Sequence, residues 1–234
     1  MKIFFTSFFF LLVFHLSFSQ NGTENPEPEI IDSLYREDQF YLGFTFNLLN
    51  TLPENITQSG FSGGLHLGFM RDMPINEKRN WAIAAGLGWS INTYSANLFI
   101  GEDENDNTIF QSLAEKNIEY DTNRYTMYLV EAPIEIRWRT STPTTYSFWR
   151  VYAGIKFGYI YYFKSNFKQP GNRVVQTKVD ELQRFRMGLT LAAGYNKVNF
   201  YCYYGLNPFF DGEMPNGEEV GMKTVKIGLM FYIL

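Results

Sequence analysis

From Phe40 onward, apolar and polar residues alternate with a period of two, the spacing of a strand whose two faces meet different surroundings. The clearest run begins at Trp149. One face carries Trp149, Val151, Ala153, Ile155, Phe157, Tyr159, Tyr161 and Phe163; the other carries Arg150, Tyr152, Gly154, Lys156, Gly158, Ile160, Tyr162 and Lys164. The same alternation separates Phe40, Leu42, Phe44, Phe46 and Leu48 from Tyr41, Gly43, Thr45 and Asn47. It also separates Phe61, Leu65, Leu67 and Phe69 from Ser62, Gly64, His66 and Gly68. Segments 81–93, 128–138, 185–195, 198–206 and 225–233 each add an apolar face, so the pattern predicts about eight strands.

Alternation alone also suits a water-soluble barrel, and three features point to lipid instead. The strands run to about ten residues or more, the length a tilted strand needs to cross a bilayer. The polar face is rich in glycine (Gly64, Gly68, Gly86, Gly88, Gly154, Gly158, Gly188, Gly194 and Gly228) rather than in Lys and Glu, which suits a narrow interior. Aromatic residues make up 18% of the chain, and rings sit near the ends of the apolar faces: Trp81, Trp138, Trp149 and Tyr195 by one boundary, Trp89, Tyr159 and Tyr161 by the other. The expected fold is therefore all-β: a transmembrane antiparallel up-and-down β-barrel of about eight strands over 39–234, in the outer membrane of a Gram-negative bacterium. Connections 49–59, 97–123, 164–182 and 208–221 are expected outside the cell, with the shorter 71–79, 139–148 and 196–197 on the periplasmic side.

Ahead of the barrel, Lys2 and the apolar run Ile3–Phe18 resemble a secretory signal peptide over residues 1–19, cut near Ser19. Residues 20–38, with Pro26, Pro28 and several carboxylates, are expected to form a flexible periplasmic lead-in. Cys202 is the single cysteine, so no internal disulfide can form. Its place on an apolar face suits a small hydrophobe. A formal charge of −4, spread along the chain, argues against a nucleic-acid partner.

The alternation directs Glu131, Glu135, Arg137, Arg150, Lys156, Arg184, Arg186, Lys226 and His66 inward, where ionic groups need partners. If Trp138 lies opposite Trp149, Glu131 faces Lys156; a slip of two places sets Glu135 against Arg150. These charges are expected to form a structural interior network, leaving no open diffusion path in an eight-stranded lumen. His66 with Ser62 suggests, as an alternative, a small lipid-modifying enzyme, and a narrow diffusion pore is a further alternative; no catalytic residue, metal ligand or cofactor is assigned. The acidic run Glu102, Asp103, Glu104 and Asp106 lacks the glycine and closing glutamate of a calcium loop. A basic loop with Lys164, Lys168, Arg173 and Lys178 is a candidate contact for lipopolysaccharide phosphates or an acidic partner.

Lys226, Gly228, Phe231 and Ile233 match a polar-x-Gly-x-x-apolar-x-apolar pattern that resembles the C-terminal signal read by the barrel insertion machinery, although Leu234 stands where a ring often ends it. The stretch 128–139, containing Leu129-Val-Glu131-Ala-Pro133, then Phe148-Trp149-Arg150 and the Val151-Tyr-Ala-Gly154 strand, resembles the PorT-like outer-membrane β-barrel family of Bacteroidota. The likeness covers nearly all of 40–234. It implies an association with type IX-like protein secretion, and the expected role is a non-enzymatic component that binds proteins of an envelope or secretion system, in contact with outer-membrane lipid and lipopolysaccharide.

Overall fold

The computed structural model describes residues 38–140 and 148–233. The expected signal peptide over 1–19, the expected lead-in up to residue 37, and Leu234 lie outside the described residues. Among the described residues eleven strands follow one another: β1 (Gln39–Asn50), β2 (Gly63–Pro74), β3 (Trp81–Ser95), β4 (Leu98–Glu102), β5 (Thr108–Ser112), β6 (Thr122–Arg139), β7 (Trp149–Gln169), β8 (Asn172–Gln176), β9 (Phe185–Tyr195), β10 (Val198–Gly205) and β11 (Lys223–Ile233). Eight of them pair antiparallel in the order β6-β3-β2-β1-β11-β10-β9-β7, and β6 closes the ring on β7. All eight segments expected from the alternation are barrel strands. Closure leaves no edge inside lipid, where an unpaired backbone group would be costly.

The faces point as the alternation requires. Phe40, Phe44, Leu87, Ile136, Trp149 and Phe200 are each more than half exposed, whereas Tyr41, His66, Glu131 and Arg137 are buried in the lumen. Tyrosines fill much of that lumen, and glycines make room for them. A Cβ at Gly88 would lie 1.9 Å from the Tyr41 hydroxyl, and one at Gly188 would lie 2.3 Å from the Tyr203 ring. Gly68, Gly88 and Gly188 on the inner face are thus sockets for rings on neighbouring strands.

Two groups of outward rings bracket the apolar band. Trp81 lies opposite Trp138, and the Trp149 ring sits 5.5 Å from Tyr195. Eight residues further along β3, Trp89 donates a hydrogen bond to the Tyr161 hydroxyl (2.5 Å) and lies 6.1 Å from the Tyr128 ring. Eight residues of strand rise roughly 27 Å. A tilt of about 40° shortens this to the order of the ~25 Å apolar belt of outer-membrane barrels.

One strand departs from strict alternation. Between Tyr128 and Leu129 the register shifts, so that Tyr128 faces Tyr162 while Leu129 faces Ile160, and Tyr161 is the extra residue of a β-bulge. An added residue swaps the faces beyond it. Phe163, Ser165 and Phe167 therefore turn inward, while Tyr162, Lys164 and Lys168 turn outward, which corrects the assignment of Phe163 to the apolar outer face and of Tyr162 and Lys164 to the inner one. The expected loops 97–123 and 164–182 likewise contain structure. The first holds the hairpin of β4 and β5, and the second holds the upper part of β7 with β8.

Candidate functional site: the lumen and its cap

Nearest the short turns, Asp72 on β2 and Glu135 and Arg137 on β6 meet. Arg137 pairs with Asp72 at 2.8 Å and with Glu135 at 3.0 Å, and donates to the Gln39 side chain at 3.1 Å. Its guanidinium lies 4.4 Å from the Tyr152 ring centre and 5.5 Å from Tyr232. Arg139 takes the second Asp72 oxygen and also donates to the Arg79 carbonyl. Arg150, directly opposite Arg139, turns its guanidinium over Phe148 at 4.4 Å.

Midway up, Glu131 is the centre. It pairs with Lys156 at 3.1 Å, accepts a hydrogen bond from Ser90 at 2.8 Å, and lies 3.6 Å from His66 Nδ1. The Lys156 ammonium sits 5.1 Å from the Tyr201 ring and 5.7 Å from Tyr41, and Lys226 lies 4.9 Å from Tyr203. Neither expected register holds, because Trp138 lies opposite Val151. Glu131 faces Gly158, Glu135 faces Gly154, and Lys156 faces Pro133. Glu131 reaches Lys156 diagonally, two residues along the neighbouring strand, a span that long side chains bridge. Glu135 pairs along its own strand with Arg137 instead of meeting Arg150.

His66 has a different neighbour from the one expected. Ser62 accepts a hydrogen bond from the Ser95 amide at 3.0 Å, whereas His66 Nε2 lies 3.1 Å from the Thr45 hydroxyl. Thr45, His66 and Glu131 thus have the connectivity of a nucleophile, base and orienting carboxylate. The Thr45 proton, however, goes to Asn47 Oδ1 at 2.8 Å, and the three side chains are between 1% and 6% exposed. The enclosed space beside Glu131, Lys156 and Lys226 measures about 10 Å³, and so does the one between Tyr41, Glu135, Tyr201 and Tyr232. Each is of the order of a single water.

Above this level the interior changes character. All four long connections send apolar side chains into the barrel mouth: Ile56 from the first; Leu98, Ile100 and Phe110 from the second; Val179 and Leu182 from the third; Phe209, Phe210, Met214 and Val220 from the fourth. They pack on the upper inner faces of the strands, including Tyr94, Tyr125, Met127, Leu129 and Phe163. Phe210 lies 5.3 Å from Phe110 and 5.9 Å from Phe163. Buried loop backbone must find partners, and side-chain amides supply them. Asn123 donates to the carbonyls of Ala96 (2.7 Å) and Leu98 (2.5 Å), and Asn97 accepts from the Thr57 amide (2.6 Å). Arg186 joins lumen to cap. It donates to the Asn207 carbonyl at 2.6 Å and to that of Pro208, and its guanidinium covers Phe209 at 4.5 Å.

Of the expected network, Glu131, Glu135, Arg137, Arg150, Lys156, Arg186, Lys226 and His66 are all buried in the lumen. Arg184 is half-buried at its margin and donates to the Ile160 carbonyl. Asp72, Arg139, Gln39 and Thr45 were missed, although Asp72 continues the inward positions of His66 and Gly68, and Arg139 those of Glu135 and Arg137. Lys226 and Gly228 face inward, and Phe231 and Ile233 face outward, on a β11 lying between β1 and β10. Cys202 is half-buried on the outer face.

The acidic tip of the β4–β5 hairpin is satisfied from within. Asp103 accepts hydrogen bonds from the Asn107 side chain (3.0 Å) and from the amides of Asn107 (2.9 Å) and Asn105 (2.8 Å), which hold its carboxyl below the usual carboxylate range. Among the described residues, no group of three or more His, Cys, Asp and Glu is placed to hold a metal ion.

The structure of Ail, the attachment invasion locus protein of Yersinia pestis, aligns over 86% of this chain and 100% of its own, with 13% identity and a TM-score of 0.37. The same protein in complex with the heparin analogue sucrose octasulfate aligns over the same shares, with 10% identity and a TM-score of 0.36. No curated protein matches the chain. The model of one family, the outer membrane protein beta-barrel domain, matches residues 18–211. With most of the chain inside that match and eight strands closed around a filled lumen, the protein belongs to the outer-membrane β-barrel family and resides in the outer membrane.

Proposed function

We propose that this outer-membrane barrel is a non-conducting, non-enzymatic component whose crown of long connections faces outward and binds partners of an envelope or secretion system, the role implied by the PorT-like resemblance. The observation that carries the reading is occlusion. Asp72, Glu135 and Arg137 cross the lumen near the short turns, Glu131 and Lys156 cross it midway, and side chains from four connections fill the mouth. The outward orientation is supported by connection length, since bacterial barrels place longer loops outside. The enzymatic alternative gains nothing from Thr45, His66 and Glu131, because these groups are enclosed and a substrate must reach the nucleophile.

Planar-bilayer recording of the purified protein is the direct test. The expected trace is flat, and reproducible unitary conductance would overturn the closed reading. Crosslinking in native membranes followed by purification is expected to recover envelope or secretion proteins with the crown. Lipid A mass spectra that changed in a His66→Ala strain would favour the enzyme instead.

A further inference from the structure

The β-bulge at Tyr161 changes the chemistry of the outer surface as well as the inner one. Below it, the outer face of β6 and β7 carries Val130, Ile134, Ile136, Ile155 and Tyr159, all exposed. Above it, the same face carries Arg124, Lys164 and Lys168, with Arg173 from β8. Register sets these cations side by side. Arg124 faces Asn166, so Lys164 and Lys168 are its two diagonal neighbours, and Lys168 lies directly opposite Arg173. Among the described residues the row contains one ion pair, Lys168 to Asp121 at 3.3 Å. Arg124 is held only by a long hydrogen bond to Ser95 (3.4 Å), and Arg173 by one to Asn166 (2.9 Å).

The position of this row identifies its occupant. Tyr128 and Tyr162 face each other at the upper ring of aromatics, next to Trp89 and Tyr161. Lys164 lies two residues beyond Tyr162, and Arg124 four residues beyond Tyr128, or roughly 7 and 13 Å of strand. Rings of this kind mark the boundary between acyl chains and headgroups. The basic row therefore begins where lipid phosphates lie, on the side that faces lipid rather than on the crown's summit.

We propose that Arg124 and Lys164, extended by Lys168 and Arg173, form a docking site for the phosphorylated headgroup of an outer-leaflet lipopolysaccharide, whose acyl chains run down over Tyr128, Tyr162 and Val130. Two adjacent cations match a headgroup with more than one phosphate, and Arg supplies the paired donors suited to phosphate oxygens. The site rests on the reading that this end of the barrel faces outward. It revises the basic loop of three lysines and one arginine suggested by the sequence, because Arg124 enters it from β6 and Lys178 does not lie in the row.

The test uses the full chain in nanodiscs of phosphatidylcholine doped with lipid A carrying two phosphates, or with the same lipid A after enzymatic removal of both, and counts retained lipid by native mass spectrometry. The phosphorylated form is expected to be retained about tenfold over the dephosphorylated one, an advantage that Arg124→Gln with Lys164→Gln reduces to about twofold or less. The control pair Lys78→Gln with Lys197→Gln, at the short-turn end, is expected to leave retention unchanged. A heat-induced gel shift confirms that each variant is folded. Equal retention of the two lipid forms, or an equal loss in both variant pairs, would overturn the site, as would loss of a crosslinked protein partner with lipid retention intact. Orientation is read separately, by labelling a cysteine placed at residue 178 on whole cells. An inaccessible label would sink the functional reading without altering the nanodisc result.

Discussion

The middle of the lumen and the cap above it are both interior, yet they are built from opposite chemistry. Between the two rings of aromatics the interior holds Asp72, Glu131, Glu135, Arg137, Lys156 and Lys226, and the outer surface is apolar apart from the exposed Arg71 on β2. Above the upper ring, the interior holds Leu98, Ile100, Phe110, Phe163 and Phe210, while the outer surface of β6 and β7 carries Arg124, Lys164 and Lys168. The same two strands make both arrangements. On β6 the inner row changes from Glu131 to Leu129, and the outer row from Val130 through Tyr128 to Arg124. Only the medium outside differs. Where water surrounds the strands, burial of apolar groups drives packing as in a soluble protein. Where lipid surrounds them, apolar groups gain nothing by turning inward, and polar groups are directed to the lumen to meet each other. The water line can therefore be read twice, from the outer rings and from the reversal of polarity inside.

The strongest test of that contrast lies in the Glu131–Lys156 pair. Replacing Glu131 by leucine leaves a buried ammonium uncompensated and is expected to cost about 3–5 kcal/mol in urea unfolding from lipid. Adding Lys156→Met should recover most of the loss. A double variant as unstable as the single one would show that the pair does more than neutralise itself.

A smaller effect should locate the boundary from outside. Ile134→Arg, midway between the two rings on β6, places a charge in the middle of the apolar belt and is expected to cost about 2–4 kcal/mol, whereas Thr126→Arg, above the rings on the same strand, should cost about 1 kcal/mol or less. Similar costs at both positions would mean that the water line has been drawn in the wrong place. The smallest effect is expected at the seam between the regions. Tyr94 and Thr224 share a hydrogen bond of 3.1 Å beneath the cap. Tyr94→Phe should cost about 0.5–1.5 kcal/mol. Faster hydrogen exchange is expected in 206–222, with the strands below Glu131 unchanged; exchange that rose equally throughout would mean that cap and barrel open as one unit.

The charge network was legible as a set of residues but not as a set of pairs. Alternation directs Glu131, Glu135, Arg137, Arg150, Lys156, Arg186 and Lys226 inward whatever the register. Which carboxylate meets which cation depends on a stagger between strands that local sequence does not specify. Asp72 was assigned to a turn because β2 runs further than its apolar face, and Thr45 meets His66 only across the β1–β2 ladder, where Gly43 lies directly opposite His66. The alternation hides the bulge, because Tyr161 and Tyr162 are both aromatic and strict alternation carries Tyr162 inward, where only the β6–β7 pairing shows that it faces out.

By itself, the chain's alternation determined which eight segments become strands and which side of each meets lipid, since a period of two is a property of one strand and needs no partner. It also determined that the lumen would be crowded, through glycines on the inner face. Tertiary structure alone decided the Glu131–Lys156 diagonal, the reversal at Tyr161 and the cap. Leu98, Phe110, Leu182 and Phe210 belong to connections without a common period, and they become a core only when closure of the barrel brings four distant connections to one mouth.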